Sequence, residues 1–201
     1  LELRMLAHYM NDKDYTNEVI NGDIHTSNQI AAGLESRDEA KTFIYAFIYG
    51  AGNKKIGTII GGSERDGERV KEKFLRATPS LRRLREKVER VAQRRWVRGL
   101  DQRKIIIRHP HAALNTLLQG AGACVMKKAL TLLEKYVINK RIKAFPVVNV
   151  HDEFQYEVQA DRADEFGRLA VQSIIDAGQQ LNVRCELNGE YKIGNNWSET
   201  H

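Results

Sequence analysis

Two cationic and two aromatic side chains recur at intervals of four residues in the segment 37–50. They are Arg37, Lys41, Tyr45 and Tyr49. On a helix, positions four apart differ in direction by only about 40°, so the four side chains are predicted to form one slowly winding stripe. Fixed positive charges attract phosphate groups, and aromatic rings stack on flat bases. The stripe is therefore typical of a surface that binds a ligand with phosphates and a flat base.

A second group with chemical potential is the acidic sequence His151-Asp152-Glu153. Valines at positions 147, 148 and 150 precede it and the segment EFQYEV follows it, a pattern that predicts two strands joined by a tight turn. Such a turn can present carboxylates to a divalent ion, and adjacent acids in a basic protein suggest a metal between protein and phosphates. Because acids are also common in turns, a plain surface turn is the alternative for this motif taken alone.

The stripe lies in a segment that carries the start and stop signals of a helix. Ser36 with Glu39 three residues later forms a capping-box pattern, and Gly50 and Gly52 supply a stop. Three apolar side chains fall on the adjoining side and would face a core: Phe43, Ile44 and Phe47. The sequence therefore predicts a helix over 37–49 that is buried on one side and exposes the stripe.

The remaining pattern is mostly helical, with extended segments towards the carboxyl end. Helices are predicted over 1–10, 23–33, 54–60, 65–76, 81–95 and 110–136, and a further helix is predicted to be capped by Asp161. One hairpin is predicted over 96–107 and another at the turn dipeptide Asn188-Gly189, whereas 11–17 is predicted to be a polar turn. The chain is expected to combine helices with antiparallel hairpins.

Positive charge is concentrated in one part of the chain. Residues 65–108 contain 16 Lys or Arg against 6 Asp or Glu, whereas the remainder is net negative although the whole chain carries a net charge of +6. A concentrated positive region on a basic protein points to a polyanion as partner. A solvated Arg-rich helix would explain the same composition, so charge alone does not decide between the two interpretations.

Length and hydropathy exclude some classes of protein. With 201 residues, 42% of them hydrophobic and 29% charged, the chain suits a globular protein of one large or two small domains. No apolar run approaches the roughly 20 residues that cross a bilayer, and no signal-peptide pattern opens the chain, so we expect no membrane partner. We expect an intracellular, cytoplasmic protein. Cys124 and Cys185 have no metal-like spacing and do not indicate a zinc site.

Taken together, five segments resemble motifs of DNA polymerase family A, and most closely those of its T7-like phage branch. In chain order they are LELR at 1–4, GDIHT at 22–26, RDEAKTFIYAFIYG at 37–50, HAALNTLLQGAGA at 111–123 and VHDE at 150–153. LELR resembles the tail of motif A, and the next two segments resemble the fingers, including motif B. The fourth resembles the helix along the primer-template, and VHDE resembles motif C. The resemblance covers essentially the whole chain.

The resemblance implies an α+β fold, in which a helical fingers subdomain joins part of an antiparallel-sheet palm in an incomplete right-hand polymerase architecture. Residues 1–10 would be the end of motif A in the palm, and residues 11–102 would form the fingers. Residues 103–201 would form the second part of the palm, including the HDE hairpin. The implied function is that of a template-directed DNA polymerase, which transfers nucleotides from dNTPs to the 3′-hydroxyl of a primer in phage DNA replication.

The resemblance assigns five residues to the incoming dNTP: Glu2, His25, Arg37, Lys41 and Tyr45. The three basic residues would hold the triphosphate, and Lys41 would also be catalytic as proton donor to the departing pyrophosphate. Tyr45 would stack against the sugar and base, and a Tyr there goes with easier acceptance of nucleotides that lack the 3′-hydroxyl. Glu2 would hydrogen-bond to Tyr45 and leave no room for a 2′-hydroxyl. Exposed helix charges and a surface acid are the plainer alternatives.

The resemblance assigns five further residues to DNA: Tyr49, Gly50, Asn115, Gln119 and His151. Tyr49 and Gly50 would lie at the template base, where an aromatic face can stack, unless Tyr49 is simply a core residue. Asn115 and Gln119 would contact minor-groove acceptors that are present whatever the sequence, with a plain polar helix face as the alternative. His151 would touch the primer terminus. The Arg-rich segment would contact DNA phosphates, without any single Arg being assigned.

Catalysis in this family would use two Mg²⁺ ions, with Asp152 as a ligand and Glu153 as a ligand or as support for one. The metal-binding Asp of motif A is expected four residues before Leu1, so the metal site within this chain would be incomplete. We therefore expect a fragment that is inactive alone and acts with the upstream polymerase portion, in cis or as a separate chain. The sequence leaves open whether an exonuclease lies upstream and whether a host processivity factor is a further partner.

Two other functions fit parts of the pattern. A noncatalytic DNA-binding module would explain the basic region but not the stripe together with HDE. A His-Asp metal phosphohydrolase would use scattered ligands, and the chain has further histidines at His8, His25, His109 and His111. Those enzymes carry the His-Asp pair on a helix, whereas the β-branched and aromatic residues around HDE favour strands.

Overall fold

A computed structural model describes residues 1–200 and shows helices interspersed with two antiparallel hairpins. The helices are α1 (Glu2–Met10), α2 (Lys13–Asn21), α3 (Ile24–Ala32), α4 (Arg37–Ile48), α5 (Asn53–Ile59), α6 (Glu64–Ala77), α7 (Pro79–Ala92), α8 (Ala113–Lys140), α9 (Ala163–Gln180) and α10 (Trp197–Thr200). The strands are β1 (Trp96–Arg98), β2 (Lys104–Ile106), β3 (Ala144–Val150) and β4 (Glu153–Val158). Within this described range, no helix is both long and apolar enough to cross a membrane.

The chain divides into two compact units. The first, here called the helical unit, comprises Glu2–Gly120. The second, here called the hairpin unit, comprises Leu1 and the described residues from Ala121 onwards, so the division falls within α8. This grouping follows packing and not motifs, and the assignment of 1–10, 11–102 and 103–201 to parts of a polymerase stays a prediction.

Aromatic packing fixes α4 inside the helical unit. The ring of Phe74 on α6 lies edge-on to the rings of Phe43 and Phe47, with centroid distances of 5.2 and 5.5 Å. Edge-to-face contact at such distances is a preferred arrangement of aromatic pairs. All three rings are buried, as is Ile44, which confirms the predicted buried side of the helix. Because one side of α4 is held in the core, its opposite side is free to present functional groups.

Local signals define where α4 begins. The hydroxyl of Ser36 accepts a hydrogen bond from the backbone N–H of Glu39 at 3.1 Å, and the Glu39 carboxylate accepts one from the backbone N–H of Ser36 at 3.4 Å. This capping box satisfies backbone donors that an α-helix leaves unpaired at its start. The helix therefore starts at Arg37, as the sequence predicts, with Arg37 in its first turn.

In the hairpin unit, β3 and β4 pair antiparallel with Val150 opposite Glu153. The register shifts between Pro146 and Val148, where a proline that lacks an N–H cannot continue the ladder. One side of the hairpin packs through Phe154 and Tyr156 onto a buried cluster that includes Phe166 of α9. The hairpin is anchored by this apolar contact, and its two-residue turn lies at the tip.

The predicted polar turn at residues 11–17 is wrong, because α2 begins at Lys13. Asp12 caps that helix: its Oδ1 atom accepts hydrogen bonds from the backbone N–H groups of Asp14 and Tyr15, both at 3.1 Å. Its Oδ2 atom accepts a further hydrogen bond at 2.6 Å from the hydroxyl of Ser80 on α7. A cap that is reinforced by a distant helix converts a polar segment into a helix start.

Two predictions near the carboxyl end are also wrong. Asp161 lies in a short 3₁₀ turn, and the residue before α9 is Arg162, which forms no side-chain cap. No strand is found around Asn188-Gly189 in the described chain, although that dipeptide predicts a hairpin. Instead Tyr191 packs its ring on Gly167 of α9 and donates its hydroxyl to Asp164. This side-chain contact holds the segment on the helix and replaces strand pairing.

Candidate functional site

The exposed side of α4 carries the stripe that the sequence predicts. Arg37, Lys41 and Tyr49 are exposed, and Tyr45 is partly buried. The capping box fixes where α4 begins, and the aromatic contacts hold its opposite side in the core. The helix therefore brings two cations and two aromatic rings onto one accessible surface.

His25 lies beside the stripe, on the preceding helix α3. Its ring centroid is 6.3 Å from that of Tyr45. Burial lowers the pKa of His25, the charge of Arg37 lowers it further, and Asp23 opposes the shift. The buried Nδ1 atom has no hydrogen-bond partner within residues 1–200. The lowered pKa favours the neutral form of His25, and an anion bound nearby would favour its protonated form.

Asp23 is a residue of this face that the sequence pattern indicated only as the start of a helix. Its Oδ1 atom accepts hydrogen bonds from the backbone N–H groups of His25 at 3.1 Å and Thr26 at 3.4 Å. Its Oδ2 atom accepts from the Thr26 hydroxyl at 2.9 Å and from Nε of Arg37 at 2.7 Å. Hydrogen bonds from Arg37 and then Thr26 hold the pKa of the Asp23 carboxyl well below its usual range. The sequence offered one sign of this role, which is an acidic residue at the cap position of the helix that precedes Arg37.

Glu2 is held by two donors from distant parts of the helical unit. The hydroxyl of Tyr49 donates to its Oε1 and Oε2 atoms at 2.9 and 3.2 Å, and Nε2 of Gln119 donates to Oε1. Burial and the neighbouring Glu2 raise the pKa of Tyr49, so the phenol keeps its proton. The resemblance predicts Tyr45 as the hydrogen-bond partner of Glu2. The donor that the structure places there is Tyr49, one turn later on α4.

Gly50 ends α4 in a conformation that requires glycine. Its φ of +81° lies in the left-handed region, and a Cβ atom there would lie 2.3 Å from the carbonyl oxygen of His111. His111 belongs to the short 3₁₀ turn before α8. The tight approach therefore fixes the end of the stripe against the start of α8.

Asn115 and Gln119, the two residues expected to contact the minor groove, both lie on α8 but differ in their surroundings. Asn115 is partly buried, and its Oδ1 atom has no hydrogen-bond partner in the described chain. Gln119 is exposed, and its amide donates to Glu2. The structure thus brings Gln119 together with Glu2 and Tyr49, a grouping that spacing alone did not reveal.

Lys71 on α6 is a second residue of this region that sequence analysis missed. Its ammonium group donates a hydrogen bond at 3.1 Å to the carbonyl oxygen of Ala51, next to Gly50. Burial lowers the pKa of Lys71. No local pattern distinguishes this lysine from the other basic residues of 65–108. Nearly all arginines of that segment are exposed, consistent with a charged surface.

The HDE sequence forms the predicted turn of a strand hairpin. His151 and Asp152 connect β3 to β4, and His151 has a φ of +53°. The side chain of Asp152 is 56% exposed, and its Oδ2 atom lies 3.5 Å from the amino nitrogen of Leu1. Nε2 of Gln155 donates to the Glu153 carboxylate. The turn therefore presents one exposed and one partly buried carboxylate.

The carboxylates of this turn are chemically suited to a divalent ion. Asp152 and Glu153 supply the hard oxygen donors that Mg²⁺ prefers. Residues 1–200 contain no group of three or more His, Cys, Asp or Glu side chains able to hold a metal ion. The position of the His-Asp pair in a strand turn argues against the phosphohydrolase, which carries this pair on a helix.

Comparison with known proteins gives a consistent result. The family model described as DNA polymerase family A matches residues 1–199. The chain is 42% identical to the DNA-directed DNA polymerases of Enterobacteria phage T3 and Escherichia phage T7, over 230 residues in each case. It is 36% identical to that of Escherichia phage Phieco32. Each match covers 100% of this chain, but only 32% of the T3 and T7 relatives and 38% of the Phieco32 relative.

A solved structure has a similar fold. The POL domain of Pol1 from M. smegmatis, in complex with DNA primer-template and dNTP, matches with a TM-score of 0.78 at 20% identity. The match covers 88% of this chain and 35% of that one. Together with the helices and hairpins described above, this confirms an α+β fold that corresponds to part of a polymerase domain.

Proposed function

The chain belongs to DNA polymerase family A, and from this premise we propose that it supplies the nucleotide-selecting helix and a metal-binding turn of a template-directed DNA polymerase. The observation that carries the proposal is the exposed side of α4, where two cations are followed by two aromatic rings with His25 beside them. Cations bind phosphates and aromatic rings pack on sugars and bases. A module that only binds DNA has no need of this arrangement.

The proposed reaction is nucleotidyl transfer. The primer 3′-oxygen attacks the α-phosphate in line, a new phosphorus–oxygen bond forms, and the bond to pyrophosphate breaks. Arg37 and His25 hold the triphosphate in our assignment. Lys41, on the same helix side as Arg37, donates a proton to the departing pyrophosphate. These roles use groups that α3 and α4 hold on one surface.

The sugar and the base are selected by the remaining residues of the stripe. Tyr45 packs against the sugar and base of the dNTP. Glu2 excludes a 2′-hydroxyl, and the hydrogen bonds that Tyr49 and Gln119 donate to it support a fixed position for that carboxylate. With Gly50, Tyr49 lies at the template base in this proposal, and its bond to Glu2 would connect template and sugar recognition.

On the DNA side, we assign Asn115 and Gln119 to minor-groove acceptors and His151 to the primer terminus. The unpartnered Oδ1 atom of Asn115 supports a role in binding. The exposed arginines of 65–108 would neutralise DNA phosphates. The partners proposed for the complete polymerase are therefore primer-template DNA and dNTPs.

Asp152 and Glu153 would hold Mg²⁺ at the tip of the β3–β4 hairpin. Two such ions, when bound, supply positive charge at the attacking oxygen and at the phosphates. Because Mg²⁺ requires octahedral oxygen coordination and one turn offers few donors, phosphates, water and a carboxylate from the upstream portion would complete the ligands. The exposure of Asp152 supports a role as a shared ligand.

The complete polymerase is proposed to act in phage DNA replication in the cytoplasm of a bacterial host, as the similarity to phage polymerases suggests. Residues 1–201 would act with the upstream portion, supplied in cis or as a separate chain. A host processivity factor is proposed as a further partner. Primer extension by residues 1–201 alone, at ordinary Mg²⁺ concentrations, would contradict the need for the upstream portion.

Substitution Lys41→Ala tests the polymerase function. In the complete polymerase, we expect single-nucleotide incorporation to fall by about 100-fold, because a proton donor in the transition state is lost. Primer-template affinity should be unchanged, as measured by fluorescence anisotropy. Lys55→Ala, which removes an exposed lysine of α5, is the charge-matched control and should keep incorporation. A Lys41→Ala variant with normal incorporation, or with an equal loss of DNA binding, would favour a noncatalytic DNA-binding module.

A further inference from the structure

A carboxylate lies among the cations that are expected to bind the triphosphate. Asp23 accepts a hydrogen bond from Nε of Arg37 at 2.7 Å, and its charge also acts on His25. A negative charge at this place repels phosphate groups. Its presence therefore needs a reason that outweighs the repulsion.

Capping of α3 does not supply that reason. The cap uses only the Oδ1 atom of Asp23, which accepts hydrogen bonds from backbone N–H groups of His25 and Thr26. Ser, Thr or Asn would cap the helix about as well without a charge. Each of those residues has one acceptor oxygen, whereas Asp has two. The second oxygen, Oδ2, accepts hydrogen bonds from the Thr26 hydroxyl and from Nε of Arg37.

Stability does not supply the reason either. The side chains of Arg37 and Asp23 are 50% and 45% exposed. Ion pairs at such exposure contribute little to folding, because water screens the charges and two side chains must be ordered. An exposed pair of this kind is better explained by what it does to the orientation of the arginine.

The geometry of the guanidinium group shows what the contact achieves. A guanidinium has five N–H donors in a rigid, planar fork. With Nε held by Asp23, the planar group cannot turn freely, and its two Nη atoms are left as the donors for a ligand. Two parallel donors on one edge match two oxygens of a phosphate group.

We propose that Asp23 is a positioning residue for nucleotide binding, which holds Arg37 so that its two Nη atoms face the triphosphate. This inference rests on the proposed function. Asp23 touches the arginine and the helix cap, and it acts on the nucleotide only through Arg37. Its charge lowers phosphate attraction slightly, and the gain is an arginine whose orientation is fixed before the ligand arrives.

Substitution Asp23→Asn in the complete polymerase tests this inference. The remaining oxygen keeps the cap of α3, but the amide cannot accept from Arg37 while its oxygen is used. We expect the KM for dNTP to rise by about tenfold with kcat changed by less than about twofold, because binding orientation and not chemistry is lost. Equilibrium dNTP affinity on a primer without a 3′-hydroxyl should weaken by the same factor. Asp23→Ser keeps the cap as well and should give the same result.

Asp12→Asn is the matched control. Asp12 caps α2 through Oδ1 and binds the side chain of Ser80 through Oδ2, so it repeats the arrangement of Asp23 without an arginine. This variant should leave the KM for dNTP unchanged. A purely structural effect of losing the second oxygen would instead appear in both variants.

The double variant Asp23→Asn with Arg37→Ala distinguishes a failure of this inference from a failure of the proposed function. In the Arg37→Ala background, Asp23→Asn should have no further effect on dNTP affinity, because the residue that it positions is gone. An equal or tighter dNTP affinity in Asp23→Asn alone would overturn the inference and leave the proposed function intact. So would a tenfold loss that persists without Arg37. An Arg37→Ala variant with unchanged dNTP affinity would overturn the proposed role of this surface and the inference with it.

Discussion

The exposed side of α4 and the turn between β3 and β4 differ in how their functional side chains are held. On α4 and its neighbours, Arg37 is bound by Asp23, and Tyr49 is bound by Glu2, which also binds Gln119. At the turn, the side chain of Asp152 is more than half exposed, whereas the neighbouring Glu153 is partly buried and accepts a hydrogen bond from Gln155.

The difference is consistent with the two tasks that we propose for these regions. Recognition of a sugar, a base and a triphosphate requires fixed donors, and in our proposal the hydrogen bonds within the helical unit provide them before a nucleotide binds. A metal ligand needs an accessible carboxylate, because the ion and the phosphates complete its coordination. We therefore expect substitutions at the turn to affect chemistry, and substitutions around α4 to affect nucleotide binding and local stability.

The largest expected effect comes from Asp152→Asn in the complete polymerase. Loss of a charged metal ligand should lower kcat by about 100-fold or more, because less positive charge is held at the reacting phosphate. The melting temperature should not change, since the side chain is exposed at a hairpin tip. Rapid-quench kinetics and thermal unfolding measure the two quantities.

Glu157→Gln is the control for this prediction, because it removes an exposed carboxylate from β4 of the same hairpin. It should leave kcat unchanged. If Asp152→Asn retained normal kcat, or if it lowered kcat only by destabilising the protein, the proposed division would be wrong. The β3–β4 turn would then not serve chemistry while the exposed side of α4 serves nucleotide binding.

A smaller effect is expected from Gly50→Ala, which tests whether the end of α4 is rigid. The alanine would need a left-handed backbone, and its Cβ would approach the carbonyl oxygen of His111 to 2.3 Å. We expect a loss of about 3 kcal/mol in the free energy of unfolding, measured with denaturant.

Two glycines of the same unit separate the causes of that loss. Gly61 has a φ of +65° but open space around its Cβ position, so Gly61→Ala should cost about 1 kcal/mol from backbone strain alone. Gly52→Ala meets neither constraint and should cost little. Equal losses at all three positions would show that contact with His111 does not fix the end of the stripe.

The smallest effect concerns pH. The pKa of His25 is lowered below its ordinary value by burial and by Arg37, and a bound triphosphate would raise it. Between these two pKa values, nucleotide binding takes up a proton, so dNTP affinity should fall as pH rises through that window, by less than about tenfold. Titration of dNTP affinity between about pH 5.5 and 8 measures the slope.

His25→Gln should remove this pH dependence, whereas His109→Gln, which changes an exposed histidine, should keep it. A slope that survives in His25→Gln would assign the proton to another group. In that case, the exposed side of α4 would bind the triphosphate through permanently charged side chains alone.

The sequence predicted the local features of α4 well and its partners poorly. The capping box of Ser36 and Glu39 and the spacing of the apolar residues lie within one helix, so short-range rules suffice. The partner of Glu2 is different. Tyr45 and Tyr49 lie one turn apart on the same side, and only the packing of α1 in the helical unit decides which hydroxyl meets the carboxylate.

In the carboxyl-terminal segment, by contrast, a strong local signal leads to a wrong prediction. Asn188-Gly189 is a strong local signal for a hairpin, yet the contacts of Tyr191 with Gly167 and Asp164 hold the segment on α9. A turn dipeptide favours a hairpin only when two strands can pair, and side-chain packing can offer a more stable alternative.

The sequence by itself determined the family motifs, the helix that carries the stripe and the strand turn that carries Asp152, because these depend on residue type and on spacing along one element. Only the tertiary structure decided that Asp23 holds Arg37 and that Tyr49 and Gln119 share Glu2. Those contacts join residues 14, 47 and 117 positions apart. Their formation depends on how whole helices pack, which no short-range periodicity records.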